Sequence, residues 1–324
     1  MNTNNIIERR RFLTFHEAGK ALNPLWRLLR RLWSVAFLPY AIASAWLKGA
    51  PGMGCRMRCI GFGMRALAAG DVRRACLLIT DPMDSVRYFE FAFAFGAARG
   101  AQMGRYLDVS SPRLLPFMIL KSLPGLTADL LNPLPDDLGE TAAMATSTGL
   151  RARCRLGGAL IENAPFADET FDLITSISVV EHIPNDTQAI ATMWRLLRPN
   201  GKLIITVPCA RESCEEYTNL DEYGLLATDK EGYVYWQRYY DRAALAERIW
   251  SITGEPTRAR IFGERKIGSY DHNVTRKRTD PTYPYWREPI MMATEYGVFD
   301  TLDELPGMGV IAMEFTKPAT TRKL

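Results

Sequence analysis

The segment 171–208 constrains the fold of this chain more than any other. It holds an apolar, β-branched run (171–180), an amphipathic helical pattern that Asp186 can cap, a Pro-Asn-Gly sequence and a second apolar run (203–207). Continuous apolar runs of this length are typical of strands covered on both faces of a parallel sheet. A strand, a crossover helix and a parallel strand bring the residues after the first strand to its carboxyl edge, where open α/β sheets bind ligands.

Glu181 and His182 follow that first strand directly. A neutral imidazole, with an ordinary pKa near 6.5, can accept a proton at neutral pH. We therefore predict His182 as the leading proton-transfer residue and His272, which follows Asp271, as the second candidate. Two plainer interpretations remain open, a Glu-His pair that only shapes its loop and a solvated loop histidine.

The rest of the chain alternates strand and helix patterns, which predicts a doubly wound sheet. Further strands are predicted at 105–109, 126–129, within 151–160, near 259–262 and at 309–315, and helices at 112–121, 136–148 and 241–250.

Two motifs of the central segment resemble the class I methyltransferases that use S-adenosylmethionine (SAM) and act on small molecules. They are Glu-His-Ile at 181–183 and Leu-Arg-Pro-Asn-Gly-Lys-Leu-Ile at 197–204. The resemblance extends, with gaps, from about residue 104 to 317. It implies an α/β fold with a mostly parallel, Rossmann-like sheet of seven strands that ends in an antiparallel hairpin, and it implies SAM as the cofactor.

The predicted cofactor turn follows the strand at 105–109. Such a turn presents backbone amides to the ligand, and glycine usually supplies its positive φ. This chain has Ser110, Ser111 and Pro112 instead; serine can cap a helix and proline suits its first position. The absence of Gly-x-Gly-x-x-Gly argues against an NAD enzyme. The resemblance implies that Asp108 positions the methionine end of SAM.

Five further residues are assigned to the cofactor through the resemblance. Asp129, at the end of the predicted second strand, matches the acid that binds both ribose hydroxyls. Glu162 or Asn163 replaces the usual acid at the adenine, because that position carries Leu160. Ser178 and Glu181 complete the set at the end of the fourth strand.

The chain divides at about residue 100. Residues 1–100 predict an N-terminal helical cap, and 101–324 the methyltransferase domain. Long insertions at 209–238 and 263–308 interrupt that domain and are rich in tyrosine and tryptophan. Loops of this length are uncommon unless they are functional or disordered. We predict that both are lids over a small-molecule acceptor, which is a sugar, a glycolipid or an aromatic metabolite.

Residues 25–47 form a basic, aromatic and apolar segment that proline interrupts. It suits an interfacial helix on an anionic membrane surface, and equally a helical cap packed on the domain. The net charge of +4 does not indicate nucleic acid as a partner. The six scattered cysteines predict reduced thiols and no metal site. We expect a cytoplasmic protein, with peripheral contact at the inner membrane surface as the open alternative.

Two functions follow from these patterns. The first is SAM-dependent methyl transfer to a small molecule, with O-methylation of a sugar, glycolipid or similar metabolite favoured. The second is an inactive methyltransferase fold that serves as a binding or scaffold protein at the membrane surface. The missing glycines of the cofactor turn and the basic N-terminal region motivate the second.

Overall fold

The computed structural model describes residues 9–15, 23–83, 85–101, 104–280, 283 and 285–319. His16, which the sequence offers as a third histidine, lies outside the described residues. The strands are β1 (Arg9–Leu13), β2 (Arg105–Val109), β3 (Thr127–Leu131), β4 (Cys154–Gly157), β5 (Phe171–Ile177), β6 (Leu197–Cys209), β7 (Cys214–Thr218), β8 (Val234–Tyr239), β9 (Arg258–Glu264), β10 (Tyr296–Phe299) and β11 (Gly309–Thr316).

The helices are α1 (Pro24–Leu47), α2 (Met53–Ala68), α3 (Val72–Thr80), α4 (Arg87–Ala98), α5 (Leu114–Ser122), α6 (Pro135–Ser147), α7 (Asp186–Leu196), α8 (Arg242–Leu245), α9 (Ser251–Thr253), α10 (Ser269–Thr279) and α11 (Glu288–Thr294). A π-helical turn, Ala246–Trp250, joins α8 to α9. Short 3-10 turns include Ile161–Asn163 and Val180–His182.

One large sheet organises the chain, with the strand order β10-β9-β11-β6-β5-β2-β3-β4. The five strands from β6 to β4 pair in parallel, and β11 runs antiparallel between β6 and β9. The predicted doubly wound, mostly parallel α/β fold with an antiparallel end is confirmed. The sheet has eight strands where seven were expected, because β10 extends antiparallel along β9 from within the predicted second lid.

Strand β5 lies at the centre of the core, and every one of its residues is buried. Successive side chains point to opposite faces, so Leu173 joins a cluster with Phe91 of α4 while Ile174 joins the cluster of Ile190 on α7. Burial on both faces explains why the sequence of this strand is mostly apolar. Two of its buried polar residues are hydrogen-bonded: Asp172 accepts from the Arg105 amide, and the Thr175 hydroxyl donates to Asp108.

A second, smaller sheet forms from the predicted first lid and the amino-terminal residues. Strands β7 and β8 pair as an antiparallel hairpin, and β1 pairs in parallel with β7. Phe12 of β1 stacks on Tyr217, and Arg11 forms an ion pair with Glu216. The expectation of helices alone in residues 1–100 is therefore corrected, because β1 completes the edge of the lid.

Two local predictions need correction. Strand β3 extends to Leu131, two residues beyond the predicted end at Asp129. Helix α7 is preceded by Asn185, whereas Asp186 lies inside the helix, fully buried, and accepts hydrogen bonds from Arg238, Arg248 and Tyr240. Asp241, by contrast, caps α8 as predicted by accepting from the Ala244 amide at 2.8 Å.

Within the described residues, no helix has the combination of length and apolar character needed to cross a bilayer. Helix α1, the longest, packs against α2, α3 and α11. The predicted second lid forms α10, α11 and β10, and α11 packs on α1.

Candidate active site

The turn after β2 forms the floor of the site without glycine. Ser110 has φ of 51°, in the left-handed region that glycine usually occupies. Its backbone amide and its hydroxyl both donate to the Leu131 carbonyl on β3, at 2.9 and 3.1 Å. These two bonds hold a non-glycine residue in a strained conformation, which is common at ligand sites. Ser111 is buried, and its hydroxyl accepts from the Ile177 amide.

Asp108, at the end of β2, is buried beneath this turn. Its carboxylate accepts from the Tyr106 hydroxyl at 3.0 Å, the Thr175 hydroxyl at 2.6 Å and the Ser111 amide at 3.2 Å. Burial raises the pKa of Asp108 to about 6, and the three hydrogen bonds oppose that rise. Asp108 therefore holds the turn in shape.

Asp129 does not lie at the carboxyl edge of the sheet. It sits two residues before the end of β3 and accepts from Arg105, the first residue of β2, at 2.8 Å. Two cavities lie at that edge: the main cavity under the first lid and a second cavity that adjoins it. Asp129 lines neither of these two. This placement argues against the ribose role predicted for Asp129, because β3 continues past it. Asn132, the first residue after β3, lines both cavities, together with Asp137 of α6.

Sequence reasoning missed Asn132 and Asp137, although the apolar residues 130 and 131 before Asn132 signal a later end of the strand. The Asn132 amide donates to Asp137, and its Oδ1 accepts from the Leu134 backbone amide. Arg113, from the cofactor turn, also pairs with Asp137. An acceptor carboxylate thus faces the site from the amino end of α6.

Glu162 lies on the wall formed by the turn after β4. It lines the main cavity, and its Oε2 is buried without a hydrogen-bond partner among the described residues. A buried carboxylate oxygen costs free energy unless a donor satisfies it. Asn163 is exposed and does not line the cavity. Of the two residues predicted for the adenine, the structure brings Glu162 to the cavity.

Beyond β5, Ser178 lines the cavity with φ of 48°, and its amide donates to Thr206 on β6. The Ser178 hydroxyl donates to Glu90, a fully buried acid of α4 that also accepts from Thr206 and pairs with Arg87. Glu90 and Arg87 thus tie α4 to the site.

Glu181 is buried and lines neither cavity. Burial raises its pKa to about 8, and the nearby Glu90 carboxylate adds to the rise. Its Oε2 lacks a hydrogen-bond partner in the protein. The Glu181 backbone carbonyl accepts from the Tyr235 hydroxyl on β8 at 2.8 Å, so this residue anchors the lid through its main chain.

His182 lies between the floor and the lid and lines the main cavity. Its Nδ1 lies 2.5 Å from the Trp236 carbonyl oxygen on β8. Because a carbonyl only accepts, Nδ1 carries the proton and Nε2 is the basic nitrogen. Burial lowers the pKa of His182 to about 4, so the ring is neutral at pH 7.

The main cavity has a volume of about 230 Å³ and opens at the carboxyl edge of β2, β3, β4 and β5. Its roof comes from the first lid and is mostly apolar and aromatic, with Leu220, Tyr223, Leu225, Leu226, Val234, Tyr235 and Trp236. A second cavity of about 400 Å³ adjoins it at Ser110, Asn132 and Asp137 and reaches Arg87 and α3. The two cavities share the cofactor turn.

His272 lies elsewhere. It is an exposed residue of α10 and lines neither cavity, and no residue of 263–308 that the structure describes does so. Its neighbour Asp271 pairs with Arg11 of β1. This placement argues against a catalytic role for His272 and against a second acceptor lid. The aromatic residues of that segment, such as Tyr283 and Tyr296, are buried in its own packing.

A family model described as a methyltransferase domain matches residues 137–205, from α6 to β6. The matched segment contains Glu162, Ser178 and His182. Over this segment the chain is similar to methyltransferase domains. The chain also resembles a crystal structure of MccD protein, with a TM-score of 0.50 and 11% identity over 73% of this chain and 100% of that chain, which shows a shared fold.

Two curated relatives match parts of this chain. A probable chloroplastic tocopherol O-methyltransferase of Oryza sativa subsp. japonica is 29% identical over 123 residues, which are 37% of this chain and 33% of the relative. A ubiquinone/menaquinone biosynthesis C-methyltransferase of Marinomonas sp. (strain MWYL1) is 31% identical over 83 residues, 23% of this chain and 33% of the relative. The chain thus spans about a third of the length of these relatives.

Proposed function

We propose that this chain transfers a methyl group from SAM to a hydroxyl of a small-molecule acceptor. One observation carries the proposal: a neutral imidazole, His182, lies in a cavity between the predicted cofactor turn and an apolar lid. The relative named for the O-methylation of tocopherol agrees with oxygen as the acceptor atom.

The residues at the carboxyl edge fit the cofactor. Ser110 adopts the backbone conformation that the turn needs. The unsatisfied Oε2 of Glu162 offers an acceptor for the adenine amino group, and the Asp137 carboxylate, held by Asn132, offers acceptors for the ribose hydroxyls. Arg87, at the second cavity, offers a cation for the methionine carboxylate. When bound, SAM supplies a methyl group on a sulfonium, which is already a strong electrophile.

His182 then has a defined task. The hydrogen bond from Nδ1 to the Trp236 carbonyl orients the ring and fixes the tautomer, so that Nε2 accepts the proton of the acceptor hydroxyl. The depressed pKa keeps the imidazole neutral at pH 7. It also makes His182 a weaker base than an ordinary histidine, so its main contribution is to orient the hydroxyl and accept its proton late in the transfer.

The roof of the cavity narrows the acceptor class. Leucines 220, 225 and 226 and the ring of Trp236 present apolar surface, which suits an acceptor with an apolar or aromatic part. The same lid also contributes the carboxyl groups of Asp221 and Glu222 to the cavity lining. We therefore favour an acceptor that combines an apolar part with hydroxyls, such as a glycolipid or a hydroxylated aromatic metabolite.

The proposal is tested by calorimetric titration with S-adenosylhomocysteine and then by transfer of label from [methyl-14C]SAM to a panel of glycolipids, phenols and free sugars. We expect binding on the order of micromolar and label in the glycolipid or phenol fraction. His182→Ala should still bind the nucleoside and lose transfer. No binding by a folded sample would overturn the proposal and favour a non-catalytic binding protein.

A further inference from the structure

Helix α1 has apolar side chains on two opposite faces. One face packs inward through the buried residues Ser34, Leu38, Ala41 and Ala45. The other is a continuous exposed stripe at intervals of three and four residues, formed by Leu25, Leu29, Leu32, Ala36, Tyr40, Ala43 and Leu47. Leu47 is 88% exposed and Leu25 61%. A helix that packs only against its own domain has no need of this second stripe.

The neighbouring helices extend the exposed surface. Met57, Met64 and Leu67 of α2 and Val72 and Leu77 of α3 are also exposed. Helices α1 to α3 carry 14 of the 20 exposed large hydrophobic side chains among the described residues. Such clustering marks an interaction site, because single exposed apolar residues are otherwise scattered.

The charge of the same region restricts its partner. Residues 24–80 contain nine lysines and arginines and a single acid, Asp71, whereas the whole chain has a net charge of +4. Of the nine, Arg56 is buried and Arg74 pairs with Asp71. Lys48, Arg58, Arg65 and Arg73 are exposed. A surface that is both apolar and basic complements an apolar partner that carries negative charge.

We propose that helices α1, α2 and α3 form a docking surface for an anionic lipid bilayer. Trp26, Trp33 and Trp46, each more than half exposed, border the stripe and suit the level of the lipid headgroups. The helix lies on the membrane and does not cross it, since no described helix is able to span a bilayer. A second copy of the chain fits less well, because it would bring basic surface against basic surface.

The experiment is co-sedimentation of the purified full chain with vesicles of phosphatidylcholine, with and without phosphatidylglycerol. We expect binding at least about tenfold stronger with phosphatidylglycerol, and a loss of about tenfold in the double variant Trp26→Ser, Leu32→Ser. Val298→Ser is the matched control, because Val298 is 58% exposed like Leu32 but lies on edge strand β10. The control should bind as the wild type does.

Three results would overturn the proposal: no binding to either vesicle, equal binding of the double variant, or equal loss in the control. A stable dimer in sedimentation equilibrium that the double variant dissociates, without vesicle binding, would assign the stripe to a second copy. The inference does not depend on catalysis. Binding of S-adenosylhomocysteine, measured on the same variants, should stay unchanged and shows that they are folded.

Discussion

The Nδ1 atom of His182 donates to the backbone carbonyl of Trp236 across 2.5 Å. This bond joins the end of β5, in the large sheet, to β8 of the lid. One contact therefore orients the proposed proton acceptor and holds the roof of the cavity. Any movement that opens the lid at Trp236 also releases the imidazole, so closure of the site and orientation of its base are coupled.

We expect His182→Ala to lower kcat for methyl transfer by about 10²–10⁴-fold, because the acceptor hydroxyl loses its proton acceptor. Binding of S-adenosylhomocysteine should change little. Transfer of radiolabel from SAM and calorimetry measure the two quantities. His272→Ala, an exposed histidine of α10, is the control and should retain wild-type activity. Equal losses in both variants would exclude His182 as the base.

The protonation state of His182 gives a second prediction. Because burial lowers its pKa to about 4, the imidazole should remain neutral from pH 8 down to about 5.5. The ring resonances of His182, assigned by comparison with His182→Ala, should not titrate in that range, and the nitrogen shifts should report a proton on Nδ1. A midpoint near 6.5 would mean that solvent reaches the ring freely.

The buried carboxyl group of Glu181 should make the stability of the protein depend on pH. Its pKa rises from 4.5 unfolded to about 8 folded, so the protein gains stability at low pH and loses it as the pH rises through that interval. Between pH 5 and 9 the free energy of unfolding of the wild type should fall as Glu181 ionises. Glu181→Gln stays neutral, so its free energy of unfolding should fall by roughly 1–3 kcal/mol less over the same range. Urea unfolding across this range measures it. Parallel pH profiles of variant and wild type would contradict the prediction.

Asp186 joins the first lid to α7. It is fully buried and accepts from Arg238 at 2.7 Å and Arg248 at 2.9 Å, so its removal leaves charge without a partner. We expect Asp186→Ala to lower the free energy of unfolding by about 3–5 kcal/mol. Asp168→Ala breaks an exposed pair with Arg195 and should cost at most about 1 kcal/mol. Chemical denaturation distinguishes the two.

Three variants test the proposed contact of Glu162 with the cofactor. Glu162→Ala should weaken binding of S-adenosylhomocysteine about 10- to 100-fold, the effect of one hydrogen bond to a charged group. Asn163→Ala, its exposed neighbour, should leave affinity unchanged. Asp129→Asn should also change affinity by less than about threefold, since Asp129 pairs with Arg105. A large loss of affinity in Asp129→Asn alone would restore the ribose role to that residue.

Local signals predicted much of this site. The turn at Ser110, the position of His182 after β5 and the acid Glu162 after β4 all lie at strand ends, and strand ends could be estimated from apolar periodicity. The predicted end of the second strand, at Asp129, fell two residues short. An acid within β3 interrupts the apolar run, so the pattern ends there, whereas the ion pair with Arg105 allows the strand to continue to Leu131.

Only the tertiary structure distinguishes the roles of the two long insertions, 209–238 and 263–308. Both are aromatic and similar in composition, so both looked like lids. Residues 214–239 form a hairpin that β1 completes, and this hairpin covers the cavity. In the second insertion, α11 packs instead against α1, and β10 pairs with β9 at the edge of the large sheet. Pairing between residues more than 190 positions apart, as between Arg9 and Cys214, leaves no local signal.

The sequence by itself determined the order of the strands and helices of the parallel core and the carboxyl edge as the place of the site, because periodicity and burial act within short segments. Tertiary structure alone decided which side chains meet there. The Trp236 carbonyl fixes the tautomer of His182, and the partners of Asp186 lie more than 50 positions away in the chain. The packing of α1 on its neighbours decides which of its two apolar faces is buried and which is exposed. These depend on long-range packing, which no local pattern records.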